Sequence, residues 1–104
     1  MDWNLCLAEL EAGRDCALVT LITRDGSAPR GPGAKMAVTL TATSGTVGGG
    51  ALEGKAVEAG RNAIREHASR LLSFCLTEGE MDSVDMSCGG RVTLLAEYLP
   101  ATEE

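Results

Sequence analysis

The spacing of apolar and polar residues predicts two amphipathic helices. The first is predicted from Asp2 to about Ala12, because four apolar residues recur there at helical spacing. They are Trp3, Cys6, Leu7 and Leu10. The second is predicted from Ala51 to about His67, where charged residues lie opposite a stripe of apolar and small residues. That stripe contains Leu52, Ala56, Ala59, Gly60, Ala63 and Ile64.

Runs of β-branched and aliphatic residues predict the strands. The run Cys16 to Thr23 is almost continuously apolar, which is typical of a strand buried on both faces. The other strands are predicted at Lys35 to Thr41, Gly45 to Gly48, Arg70 to Thr77 and Arg91 to Leu99. Arg24 to Gly33 is predicted to be irregular because it is rich in glycine and proline, and Thr43 to Gly45 is predicted to be a turn. The order α-β-β-β-α-β-β predicts an α/β (α+β) fold, with a mixed sheet of about five strands and two packed helices.

Composition narrows the class of protein. A length of 104 residues is typical of one domain with its own core. A net charge of −6 argues against nonspecific binding to nucleic acid or to an anionic membrane. We expect a cytoplasmic protein, because the sequence shows neither a transmembrane-length apolar run nor the basic start of a signal peptide.

The four cysteines do not form a C-x-x-C pair, so the sequence does not favour a zinc site. A disulfide framework is not expected in a chain without an export signal. Cys6, Cys16 and Cys75 stand among apolar residues, which is typical of small core side chains. Cys88 has a different, glycine-rich context and is considered separately.

The first segment with candidate chemistry runs from Asp25 to Met36. Its glycines allow a ligand to approach the backbone, and its prolines hold the loop in one shape. Arg30 offers a planar guanidinium for phosphate or carboxylate, Lys35 a point charge and Ser27 a hydroxyl. These residues favour an anion-binding loop, and a surface turn with solvated charges is the alternative.

The second segment is Gly48-Gly49-Gly50, between a predicted strand and the second predicted helix. Backbone N–H groups at a helix N-terminus attract anions, so this turn is a candidate ligand site. A tight strand-to-helix connection is the alternative. Glu53 falls on the apolar side of the helix, where a carboxylate either caps N–H groups of the first turn or points into a polar pocket.

The third segment, Ser87 to Arg91, is predicted to be a loop before the last strand. In it, Cys88 is followed by Gly89 and Gly90. Glycines beside a cysteine expose its sulfur and supply N–H groups that favour the thiolate. Such a thiolate is a soft metal ligand or a nucleophile, and an unreactive loop cysteine is the alternative.

Together, these segments resemble the N-terminal domain of the XdhC/CoxI family, the accessory proteins of xanthine dehydrogenase and related molybdenum hydroxylases. The matching motifs occur in the family's order and are GSAPR at 26–30, PGAKM at 32–36, GTVGGGALE at 45–53 and CGGRV at 88–92. The resemblance extends from the first helix to the last strand. Ala51 is a departure, because many family members have cysteine there. Family members usually carry a second, Rossmann-like domain after this one. We interpret residues 1–104 as a single domain without it, which is a further departure.

The resemblance implies a protein that binds molybdenum cofactor (molybdopterin), protects it and helps to deliver it to an apo-hydroxylase. It also suggests a role during sulfuration of the metal, without turnover by the protein itself. The cofactor-binding residues would be Ser27, Arg30, Lys35, Gly48, Gly49, Gly50, Glu53, Cys88, Gly89 and Gly90. Of these, Cys88 would be the ligand of the metal.

Partners follow from the same resemblance. They are the molybdenum hydroxylase apo-enzyme, a separate Rossmann-domain or sulfurtransferase protein, and a second copy of the chain as a homodimer. Nucleic acid and membrane are not expected. One alternative is a protein-binding module that docks on a dehydrogenase or a sulfur-transfer enzyme without binding cofactor. Another is an enzyme with Cys88 as nucleophile, which is disfavoured because His67, the single histidine, lies on the predicted apolar face.

Overall fold

The computed structural model describes residues 4–26, 33–48, 50–77 and 88–101, and it leaves the side chains at 23–26, 75–77 and 88–90 undescribed. Within these ranges two helices and five strands follow one another in the predicted order, so the α+β fold class is confirmed. The helices are α1 (Asn4–Glu11) and α2 (Gly50–Glu66). The strands are β1 (Cys16–Gly26), β2 (Lys35–Val38), β3 (Thr43–Gly45), β4 (Arg70–Thr77) and β5 (Cys88–Leu99).

The strands form one sheet in the order β3-β2-β1-β5-β4. Each of the four pairings in this sheet is antiparallel, where the sequence suggested a mixed sheet. The reason lies in the connections, because β1–β2, β2–β3 and β4–β5 are joined by segments shorter than a parallel crossover requires. The long pairing of β1 with β5 forms the centre of the sheet, from Cys16 opposite Leu99 to Gly26 opposite Gly90.

Helix α2 covers one face of the sheet, and its buried residues are the six of the predicted stripe. Alternate strand residues share a face of a sheet, so the opposing core is a set of every second residue. This set contains Ala17, Val19 and Leu21 of β1, Met36 and Val38 of β2, and Val92, Leu94 and Ala96 of β5. The closest approach is at Gly60, where an added Cβ would lie 2.9 Å from the Cβ of Val38. Glycine therefore allows the helix to lie directly on β2.

Helix α1 lies on the opposite face, over the start of β1. Its buried residue is Cys6, which packs with Cys16 and Ala37. Partly buried apolar residues surround this cluster, namely Leu5, Leu10 and Leu99. Leu7, predicted to face the core, is 52% exposed, and Trp3 lies outside the described residues. The short helix therefore buries little apolar surface.

The turn between β2 and β3 lies earlier than the sequence predicted. The hydroxyl of Thr39 accepts hydrogen bonds from the N–H groups of Thr41 (3.2 Å) and Ala42 (2.8 Å), and the Thr39 N–H donates to the Ala42 carbonyl at 2.9 Å. These bonds end β2 at Val38 and return the chain as β3. Consequently Thr43–Gly45, predicted to be a turn, is the strand β3. The third strand, predicted at Gly45 to Gly48, lies earlier in the chain and ends at Gly45.

Candidate functional site

The first and third candidate segments meet at one end of the sheet, and the turn of the second segment leads into α2 from the side of Lys35 and Gly45; we call the whole region the glycine end. It is defined by the last residue of β1, Gly26, the first residues of β5, Cys88 to Gly90, and the turn Thr46–Gly50 that leads into α2. Because β1 and β5 are antiparallel, the last residues of β1 and the first residues of β5 lie at the same end of the sheet. The topology thus brings together segments that are far apart in sequence.

At the glycine end, Cys88, Gly89 and Gly90 belong to β5, so the prediction that they form a loop is wrong. Arg24–Gly26, also predicted to be irregular, is the end of β1. Gly26 pairs with Gly90, and on the other side of β5 Cys88 pairs with Thr77 of β4. Paired N–H and C=O groups outweigh the weak strand propensity of glycine. Since paired strands lie about 4.8 Å apart, the first and third segments are in direct contact through their backbones.

The turn into α2 is organised by Thr46. The N–H of Gly48 donates to the Thr46 hydroxyl oxygen at 3.0 Å, and that hydroxyl donates to Oε1 of Glu53. Gly48 and Gly50 have φ angles of +142° and +62°. A residue with a side chain would be strained in these backbone conformations. Apart from its chain neighbours and the backbone of the helix itself, no described heavy atom lies within 4 Å of the Cβ position at Gly50. Gly50 is exposed, so the first residue of α2 is open on this side.

Glu53 is partly buried in the first turn of α2. The sequence suggested that its carboxylate caps the helix or enters a polar pocket, and in the structure one oxygen accepts the hydrogen bond from Thr46. A carboxylate in this position is also stabilised by the positive end of the helix dipole. Glu53 therefore links the glycine turn to the helix that follows it.

A cation–π contact holds the start of α2 over the end of the sheet. Lys55 Nζ lies 5.2 Å from the centroid of the Phe74 ring. Phe74 is two residues before Leu76, which pairs with Gly90. At about 3.3 Å of rise per residue, the contact lies about 7 Å along β4 from the glycine pair. The first turns of α2 thus lie over the half of the sheet that contains the glycine end.

Lys35 lies at the margin of the glycine end. It is the exposed first residue of β2 and pairs with Thr20. Gly26 is the sixth residue after Thr20 in β1, which corresponds to about 20 Å of extended strand. The neighbouring pair, Met36 with Gly45, places Lys35 beside the turn that begins at Thr46. Lys35 therefore lies closer to the second segment than to the third.

Three predicted site residues, Ser27, Arg30 and Gly49, lie outside the described residues, as does the side chain of Cys88. Among the side chains that are described, no group of three or more histidine, cysteine, aspartate or glutamate residues is placed to hold a metal ion. The role of Cys88 as a metal ligand stays a prediction.

The opposite end of the sheet carries a cavity that the sequence did not indicate. Its volume is about 340 Å³, and its polar lining consists of Glu9, Arg14, Asp15, Arg65 and His67. Arg14 donates to both carboxylate oxygens of Glu9, at 3.0 and 3.1 Å, and this pairing lowers the pKa of Glu9. The charges at this end are thus largely paired with one another.

Asp15 connects this end to the last residues of the described chain. It accepts hydrogen bonds from the N–H of Ala101 at 3.0 Å and from the hydroxyl of Tyr98 at 2.7 Å, and these bonds hold its pKa below the usual value. The His67 ring stacks on the Tyr98 ring, with centroids 5.2 Å apart. His67 is exposed at the end of α2, so it is a helix-end histidine and not a core residue.

The part of the chain that the structure describes contains no helix with the length and apolarity needed to span a membrane. Residues 9–75 match the XdhC and CoxI family. The fold is similar to a crystal structure described as a xanthine dehydrogenase from Bacillus halodurans, with a TM-score of 0.68 and 22% sequence identity. That similarity covers 91% of this chain and 29% of the other, so this chain spans less than a third of that protein. No curated protein matches the sequence.

Proposed function

Because the chain belongs to the XdhC and CoxI family, we propose that it is an accessory protein of a xanthine dehydrogenase-type molybdenum hydroxylase. In this role it binds molybdenum cofactor as a transient cargo and assists its insertion, including the sulfuration of the metal. The observation that carries the proposal is the pairing of the first and third segments at the glycine end, through Gly26 and Gly90.

The phosphate of molybdopterin suits the start of α2. Backbone N–H groups at a helix N-terminus bind anions, and the accessible backbone at Gly50 leaves room for one. Lys35 supplies a positive charge beside the same turn. Thr46 and Glu53 hold the turn in shape without a ligand, which reduces the entropy cost of binding.

The metal end of the cofactor suits the start of β5. Thiolate sulfur is a soft metal ligand. Cys88 pairs with Thr77 at the same end of the sheet as the pair of Gly26 with Gly90. Gly26, opposite Gly90, leads directly into the segment with Ser27 and Arg30. Both ends of the cofactor would therefore find matching groups within one region of the fold.

The placement of His67 supports a binding role over an enzymatic one. A cysteine nucleophile needs a nearby base, and His67 is the single histidine in the sequence. It stacks on Tyr98, ten residues along β5 from Cys88, or about 33 Å of extended strand. Cys88 and His67 therefore belong to opposite ends of the sheet.

The test compares cofactor retention by three forms of the purified protein. Molybdenum cofactor is added, unbound cofactor is removed by desalting, and the retained pterin is measured by fluorescence. We expect the wild type and Cys75→Ala to retain cofactor, and Cys88→Ala to retain about tenfold less. Equal retention by Cys88→Ala would remove Cys88 from the site. If the wild type retains none but binds the apo-hydroxylase, the protein is a docking module without cofactor.

A further inference from the structure

Two cysteine side chains meet between α1 and the sheet. The sulfur atoms of Cys6 and Cys16 are 2.8 Å apart, and the two residues are 1% and 0% exposed. Both are free thiols. A disulfide bond joins sulfurs at about 2.05 Å, so closing the bond needs a movement of less than about 1 Å. The pair lies on the opposite face of the sheet from α2 and plays no part in the proposed cofactor site.

We propose that Cys6 and Cys16 form a reversible disulfide that fastens α1 to the sheet. The rest of the α1 contact is thin, since Cys6 is the buried residue of this eight-residue helix and Leu7 is half exposed. Helices this short are marginal without tertiary support. A covalent link at the one buried position therefore controls whether α1 stays docked.

The oxidant is a low-molecular-weight disulfide such as oxidised glutathione. When α1 lifts from the sheet, the Cys6 thiol gives its proton to solvent and its sulfur attacks one glutathione sulfur. The glutathione S–S bond breaks, and the released glutathione thiolate takes up a proton. As α1 returns, and before Cys16 is covered, Cys16 gives its proton to solvent and its thiolate attacks the Cys6 sulfur; the S–S bond to the second glutathione breaks, and that glutathione thiolate takes up a proton. Two protein thiols are oxidised, and one glutathione disulfide is reduced to two thiols.

Docking of α1 keeps the pair unreactive. Burial raises the pKa of the Cys16 thiol to about 12, and the contact with Cys6 acts in the same direction. The thiolate is the reactive form, so docked Cys16 stays a thiol at neutral pH, and the burial of both sulfurs keeps an oxidant away from them. Oxidation therefore reports the opening of α1 and then prevents further opening.

The chain's own trypsin sites make the bond simple to detect. Arg14 is the first basic residue in the sequence, so cleavage after it separates residues 1–14, which contain Cys6, from residues 15–24, which contain Cys16. Native protein is incubated with oxidised glutathione, free thiols are alkylated, and the digest is analysed by mass spectrometry. We expect these two peptides to be linked and to separate after reduction. A sample unfolded in urea serves as the positive control for the chemistry. Linkage in urea but not in native protein would overturn the proposal.

The second measurement tests whether the bond fastens α1. We expect the melting temperature of the oxidised protein to rise by about 10 °C. The bond joins residues 6 and 16 in the unfolded chain as well, which lowers the conformational entropy of the unfolded state and so favours the folded one. Reduction should reverse the rise, and Cys6→Ala should show none. Amide hydrogen exchange of the wild type at residues 8–13 should slow on oxidation, which tests the proposal even if Cys6→Ala does not fold. A linked protein with unchanged exchange and melting temperature would contradict it.

Discussion

Replacing Gly60 with alanine should destabilise the domain, although alanine is the better helix former. The propensity gain is about 1 kcal/mol. Against it, the new Cβ would lie 2.9, 3.0 and 3.1 Å from Cβ, Cγ1 and Cγ2 of Val38, which is fully buried. Rotating Val38 about χ1 cannot relieve the closest contact, because its Cβ does not move with χ1. Overpacking of this kind costs about 1 to 3 kcal/mol, so after the propensity gain we expect a net loss of up to about 2 kcal/mol.

Gly54 provides the matched control in the same helix. It is exposed, and no described heavy atom outside its chain neighbours and helix backbone lies within 4 Å of its Cβ position. Gly54→Ala should therefore stabilise the domain by about 0.5 to 1 kcal/mol. Urea unfolding followed by far-ultraviolet circular dichroism measures both free energies.

The double variant Gly60→Ala/Val38→Ala tests the cause of the effect. Shortening Val38 removes the two contacting methyl groups, so the two changes together should cost less than the sum of the single changes. A Gly60→Ala protein as stable as Gly54→Ala would refute the close approach of α2 to β2. Strict additivity in the double variant would refute the steric cause.

The remaining predictions concern the two ends of the sheet. Thr46→Val removes the hydroxyl that bonds Gly48 and Glu53, so we expect a loss of about 1 to 2 kcal/mol in unfolding free energy and weaker cofactor retention. Thr43→Val, exposed on β3, is its control and should change the free energy by less than about 0.5 kcal/mol; equal losses would contradict the role of Thr46. Asp15 has a lowered pKa in the fold, so its contribution is present above the unfolded value of about 3.9 and is lost as pH falls through the folded value. Urea midpoints measured from pH 6 to pH 2 should fall less steeply for Asp15→Asn than for the wild type, and identical slopes would count against this assignment.

The sequence predicted those parts of the fold that depend on local pattern. The stripe of α2 is buried as expected, because a 3.6-residue period over 17 residues has one stable solution against a sheet. The bounds of β4, Arg70 to Thr77, are those predicted. The pattern places Gly60 in the stripe and Gly54 outside it, but it does not indicate that Gly60 touches Val38 too closely for a side chain.

The sequence located the candidate segments but not their conformation. Cys88 to Gly90 has low strand propensity, and its extension of β5 depends on two partners: Gly26 of β1, more than sixty residues earlier, and Leu76 and Thr77 of β4. Thr39 gave no clear sign of organising a turn, because its hydroxyl acts on N–H groups only once the chain has reversed. Contacts between distant strands also created the Asp15 and Tyr98 interaction, which no local motif indicates.

Direct measurement of cofactor binding tests the central proposal. Purified protein is mixed with molybdenum cofactor and separated by gel filtration, and pterin fluorescence and molybdenum are measured across the protein peak. We predict that both co-elute with the wild-type chain in stoichiometric amounts and pass to an apo-hydroxylase added afterwards. Cofactor that elutes apart from a folded wild-type protein would contradict the account.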